Sequence, residues 1–139
     1  MVCINFFSGF IDPDYIKNRE PIITQHLEEI SAIKHQHSGN YEAAYVAEDQ
    51  FVGKLLKSIR PPLSMLLDHI DYAVKLIGIN HVGIGSDFDG IETAPLGLDS
   101  VLDLQLLAFE LEKRGYSHSE IEKIMYKNFI RVFNESHQP

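Results

Sequence analysis

The sequence predicts an α/β fold built on parallel strands, and three observations point to it. Residues 1–7 and 81–87 form two short apolar runs, rich in β-formers and without the alternation of a half-solvated antiparallel sheet. Patterns of helical period fill most of the chain between and after them. The helix at 63–77 delivers the chain into the second run through Gly78, in the βαβ manner.

The opening run, Met1 to Phe7, is closed by Ser8-Gly9 and reads as a strand buried on both faces. From 20 to 36 the apolar residues Ile22, Ile23, Leu27, Ile30 and Ile33 recur at helical spacing, with Pro21 suited to a first turn. After Ser38-Gly39-Asn40 a second helix covers 41–59, ending at Pro61-Pro62 and carrying Gly53 inside it. Residues 63–77 place Leu63, Leu66, Leu67, Ile70, Val74 and Ile77 on one stripe, with Gly78 positioned as a left-handed cap. The strand 81–87 comes next, then a turn-rich loop over 88–100 whose length marks it as a candidate functional loop. A helix at 101–114 stops at Gly115. Ser117 and Glu120 have capping-box spacing and open a last helix whose apolar face is Ile121, Ile124, Met125, Phe129, Val132 and Phe133. The expectation is two strands and about five helices. Two parallel strands do not bury both faces of a sheet, so the 139 residues read as a single partial domain.

Composition excludes several function classes. Hydrophobic residues at 45% and charged residues at 23% describe a globular chain and argue against disorder. A formal charge of −8 without a Lys/Arg cluster argues against nucleic acid and against an anionic membrane surface. The apolar runs are far too short to span a bilayer. No signal-peptide pattern opens the chain, and the tail from Asn134 to Pro139 lacks a hydrophobic anchor signal. Cys3, the only cysteine, excludes an internal disulfide and a cysteine-based zinc cluster; it reads as a buried structural thiol in a chain expected to be cytoplasmic.

The chemistry concentrates in Gly83-Ile84-Gly85-Ser86-Asp87. Alternation puts Gly83, Gly85 and Asp87 on one face and Val82, Ile84 and Ser86 on the other, so two glycines flank the side of the acid where something approaches closely. A carboxylate at the C-terminal end of a parallel strand, leading into a long loop, is where α/β barrels hold catalytic groups, which makes Asp87 the best single candidate. The alternative is that Asp87 caps the following turn, and for Asp89 the turn role is the stronger of the two.

The string from Asp68-His69-Ile70-Asp71-Tyr72 through His81-Val82-Gly83-Ile84-Gly85-Ser86-Asp87-Phe88-Asp89-Gly90 resembles the signature region of the membrane dipeptidases (renal-dipeptidase-like, zinc peptidase family M19). Val2 to Ile11 resembles that family's preceding strand, and Asn128 to Phe133 its C-terminal helix. The resemblance implies the C-terminal third of a (β/α)8 TIM barrel, its last two strands, and a hydrolase that cleaves dipeptides through a hydroxide bound by two zinc ions. It implies that Asp87 is the catalytic acid/base and that Phe10 helps to wall the substrate pocket. The family's metal ligands and a substrate-binding Arg lie in strands preceding this segment, so none maps here and the isolated chain is expected to be inactive.

The seven histidines agree with that expectation. His35 and His37 fall on different sides of a helix end, His26 on a helix surface, His69 on the rim of the 63–77 helix, His81 at the strand's far end, His118 in a first turn and His137 in the tail. A reading of another class is a non-catalytic assembly or binding module reusing a barrel fragment, its sheet completed by self-association or by a chain supplying the N-terminal part. An unrelated small hydrolase ranks last, because neither a nucleophile elbow nor a local base pair is visible.

Overall fold

The computed structural model describes residues 1–137; Gln138 and Pro139, the end of the polar tail, lie outside the described residues. Strand β1 (Val2–Asn5) pairs in parallel with β2 (Val82–Ser86). Between them run α1 (Ser8–Ile11), α2 (Tyr15–Gln25), α3 (Leu27–Gln36), α4 (Tyr41–Leu56) and α5 (Leu63–Ile77). After the loop come α6 (Leu104–Lys113), α7 (His118–Glu122), one π-helical turn (Lys123–Lys127) and α8 (Asn128–Ser136). The α/β class and the parallel pairing are as expected. No described helix is long and apolar enough to cross a membrane.

Two hydrophobic clusters hold the chain together. Phe6, Leu66, Leu67, Ile70, Leu107, Leu111 and Ile124 are buried in the larger, to which α5, α6 and the π turn contribute and against which Ile4 and Ile84 of the strands pack. Tyr15, Ile30, Val52 and Leu56 form the smaller, between α2 and the α3–α4 hairpin. The stripe read on α5 is confirmed at Leu66, Leu67 and Ile70, and Gly78 ends that helix with φ +85°. The capping box is present, with Ser117 Oγ accepting from the Glu120 N–H, and the Glu120 carboxylate is held below its ordinary pKa by the Ser117 hydroxyl (2.7 Å) and then by the Ser117 N–H (2.9 Å), both of which donate to it.

Several expectations are corrected. The helix foreseen over 20–36 begins at Tyr15, carries Pro21 inside α2, and breaks at His26, so it is two helices. Residues 57–59 and 101–103 are 3-10 turns, and α1 comes directly after β1. Strand β1 is not buried on both faces, since Val2 is 49% exposed, and Cys3 is exposed rather than a buried thiol. The reason is that β1 pairs only with β2 among the described residues, which leaves its far edge open. Phe129 and Phe133 are 55% and 52% exposed, off the core face read for them. Asn128 follows Ile121 and Ile124 at helical spacing and takes the interior position, while Phe129 and Phe133 fall to the side of that face.

Asn128, 3% exposed, donates through Nδ2 to the carbonyls of Ile79 (2.7 Å) and Val82 (2.8 Å), tying α8 to the start of β2. Asn128→Ala orphans both carbonyls and is expected to destabilise the chain by about 2–3 kcal/mol, read from the urea-unfolding midpoint.

Tyr15, fully buried, shares a 2.6 Å hydrogen bond with Thr93 Oγ1, and burial pushes its phenol above the ordinary range. The unfolded chain ionises Tyr15 near pH ~10 while the folded one keeps it protonated. Its contribution is therefore complete below about pH 10 and is lost as pH rises through the folded value. Tyr15→Phe should cost about 1 kcal/mol near neutrality and make unfolding less sensitive to pH above 10, measured as midpoint against pH.

Candidate functional site

The site grows from the last residues of the two strands. Val2, Cys3 and Ile4 face Val82, Gly83 and Ile84, but Asn5 faces Ser86, so Gly85 is an extra residue in β2. A Cβ at Gly85 would stand 3.2 Å from Cys3 Cβ and 3.3 Å from the Ile4 carbonyl; the close approach anticipated for this glycine is that of β1 itself. The irregularity ends the strict alternation expected of the strand. Ser86 (φ +43°) and Asp87 (φ +76°) then take left-handed conformations, uncommon for side chains other than glycine and tolerated best by Asn and Asp.

This backbone turns the Asp87 carboxylate toward β1. Asn5 Nδ2 donates to Asp87 Oδ2 at 3.0 Å, and Asn5 Oδ1 accepts from the Phe7 N–H at 2.7 Å. An N–H can only donate and an ionised carboxylate can only accept, so these two neighbours fix which way the amide faces. On the other side of the carboxylate, a Cβ at Gly90 would lie 2.5 Å from Asp87 Oδ1. The Gly90 N–H donates to the Asp87 carbonyl, so the Asp87 backbone closes the turn while its exposed side chain bonds to Asn5.

The loop after β2 is held on both flanks. The Arg19 guanidinium grips the Glu92 carboxylate through two nitrogens, Nε at 2.6 Å, and that hydrogen bonding raises the guanidinium's pKa. Ser8 Oγ donates to the Thr93 carbonyl (2.9 Å), joining α1 to Thr93 and Tyr15 in a buried polar cluster. Arg60 donates from Nε to the Ala94 carbonyl (2.6 Å) and from Nη2 to the Pro95 carbonyl (2.8 Å). From α4, Tyr45 donates to the Asp89 carbonyl at 3.0 Å. A groove of about 370 Å³ lies between α4 and the loop, lined among others by Asp49, Lys54, Phe88 and Glu92. Burial, with the charges of Glu92 and Glu48, pushes the Asp49 carboxyl up.

Sequence reasoning singled out Asp87 and Phe10. Both lie just beyond the C-terminal ends of their strands, which a parallel pair places at the same end. Phe10 is 69% exposed and packs edge-on against Phe7, ring centroids 5.2 Å apart. Missed were Asn5, Arg19, Tyr15, Arg60 and Thr93. Asn5 carried the one readable signal, an amide inside an otherwise apolar run.

The histidines do not gather. His26 bonds the Ile22 carbonyl (2.8 Å) and rests against Phe51, His69 bonds the Ile11 carbonyl (3.0 Å), and His81 and His118 are exposed. Among the described residues no group of three His, Cys, Asp or Glu side chains could hold a metal ion.

The described residues form an α/β arrangement in which a parallel strand pair ends in an oriented carboxylate beneath a pinned loop. Residues 1–138 match the model of the membrane dipeptidases, peptidase family M19, and the chain belongs to that family. It is 49% identical over 72 residues to dipeptidase ataJ of Aspergillus terreus, covering 52% of this chain and 18% of that protein. Dipeptidase verJ of Clonostachys rogersoniana is 40% identical over 84 residues, 60% of this chain and 22% of that protein. Dipeptidase 3 of Rattus norvegicus is 33% identical over 87 residues, 63% of this chain and 18% of that protein. The matched stretch spans about a fifth of these relatives.

Gly90→Ala leaves the turn conformation accessible but drives a methyl into Asp87 Oδ1. It is expected to displace that carboxylate from Asn5 and to destabilise the chain by about 1–3 kcal/mol. The readout is the Asn5 side-chain amide resonance together with the unfolding midpoint.

Proposed function

We propose that this chain supplies the Asp87-bearing part of the active site of a metal-dependent dipeptidase, on the last two strands of a (β/α)8 barrel. The observation that carries the reading is the Asp87 carboxylate at the C-terminal end of β2, held by Asn5 in a chain of this family. In that role Asp87 accepts a proton from the attacking water and passes it to the leaving amine, which requires a carboxylate fixed in direction and open to substrate. Phe10, exposed at the same end, forms part of the pocket wall. The two zinc ions implied by the family resemblance find no ligand set among the described residues, and in this reading their ligands come from the rest of a complete domain.

Two measurements test this. The 139-residue chain, supplied with zinc, should release no amino acid from a panel of dipeptides. A full-length family dipeptidase carrying this segment should hydrolyse them, and Asp87→Asn should lower its kcat by about 100-fold or more. Hydrolysis retained in that variant would remove Asp87 from the role.

The open edge of β1 favours a second reading, a non-catalytic assembly module. A cooperatively folded monomer in sedimentation velocity would count against it.

A further inference from the structure

We propose that Asn5 is a positioning residue, which aims the Asp87 carboxylate at the substrate; this rests on the acid/base role of Asp87 proposed above. The two residues are 82 positions apart in sequence and meet only because β1 and β2 pair in parallel. The Asn5 side chain is half-buried, and its two ends do different work. Oδ1 takes the Phe7 N–H at 2.7 Å, which locks the amide plane to the β1–α1 turn. Locked in that way, Nδ2 can only face Asp87 Oδ2, at 3.0 Å. The carboxylate needs such a guide because its own backbone, at φ +76°, lies in a sparsely populated region that persists only where the surroundings impose it. With Gly90 clearing space at Oδ1 and Asn5 bonding Oδ2, one carboxylate oxygen is held while the exposed side remains available for proton transfer.

The two ends can be separated by substitution. Asn5→Asp keeps an oxygen acceptor for the Phe7 N–H but turns an oxygen toward Asp87 in place of the donor. Asn5→Ala removes both bonds. In a full-length family dipeptidase carrying this segment and loaded with zinc, Asn5→Asp, Asn5→Ala and Asp87→Asn are compared for kcat, KM, metal content and thermal midpoint. The expected result for Asn5→Asp is a kcat lowered by about 30-fold or more, with KM within about three-fold and metal content unchanged. Its thermal midpoint should stay within about 4 °C of the parent, and Asn5→Ala should lower both kcat and the midpoint.

An Asn5→Asp enzyme within three-fold of the parent in kcat, while Asp87→Asn is inactive, would overturn the positioning role and leave the role of Asp87 standing. A change confined to KM would overturn it as well. Loss of the folded transition in both Asn5 variants would assign Asn5 to the turn at Phe7 alone, also against the proposal. Full activity in Asp87→Asn would instead sink the reading on which it rests.

Discussion

The parallel pairing of Val2–Asn5 with Val82–Ser86 is the constraint on which the rest of the arrangement depends. It sets Asn5 against Ser86 rather than Gly85, and that single offset decides where the chain leaves the sheet. With regular pairing, alternation would carry Asp87 onto the face of Gly83 and Gly85. With the extra residue, two successive left-handed conformations bring its carboxylate back to β1. The glycine is needed because a side chain there would meet the Cys3 and Ile4 backbone at little over 3 Å. The orientation of the Asp87 carboxylate is thus generated by an irregularity in the ladder, the kind of feature that re-aims a side chain.

The loop beyond β2 shows how polar contacts join two separately packed halves. The cluster around Phe6, Leu66 and Leu107 and the cluster around Tyr15, Val52 and Leu56 are each apolar and local to their helices. Polar contacts cross between them: Ser8 and Tyr15 on Thr93, Arg19 on Glu92, Tyr45 on the Asp89 carbonyl, and Arg60 on a row of loop carbonyls. Apolar contact would hold the halves together without fixing their register, whereas these directional bonds fix it residue by residue. The long connection without regular structure is grasped along its length from α1, α2, α4 and the segment before α5.

How much of this was legible depended on whether the cause was local. The α5 stripe, the Gly78 cap and the Ser117–Glu120 box are set by residues within a few positions of one another, and the sequence displays them directly. Asp87 could be singled out because a strand end leading into a long loop is a pattern along the chain. The break at His26 and the π turn at Lys123–Lys127 had no such pattern; the helical period runs through both without interruption. Phe129 and Phe133 were assigned to the core because large apolar residues usually fill it, whereas the interior position on that face is taken by the polar Asn128. Cys3 was misread because burial of a strand depends on what lies beside it, which its own residues do not record. Asn5 and Thr93 were missed because their partners are some eighty residues distant.

That separation also governs the order in which the site comes into being. Contacts within α4, α5 and the α3–α4 hairpin close short loops and can form early, whereas β1 must wait for β2 across nearly the whole intervening chain. The pair Asn5–Asp87 belongs to the last category, and it sits on a strand of four residues with one open edge. Such a strand lies at the low end of the stability range within a fold and is among the first parts to open when the native state fluctuates. Hydrogen exchange at β1 should thus run ahead of exchange in α5. The population of aligned carboxylate then tracks local opening of this strand rather than unfolding of the chain, so a modest loss of stability at the edge would be felt in the site long before it is felt in the core.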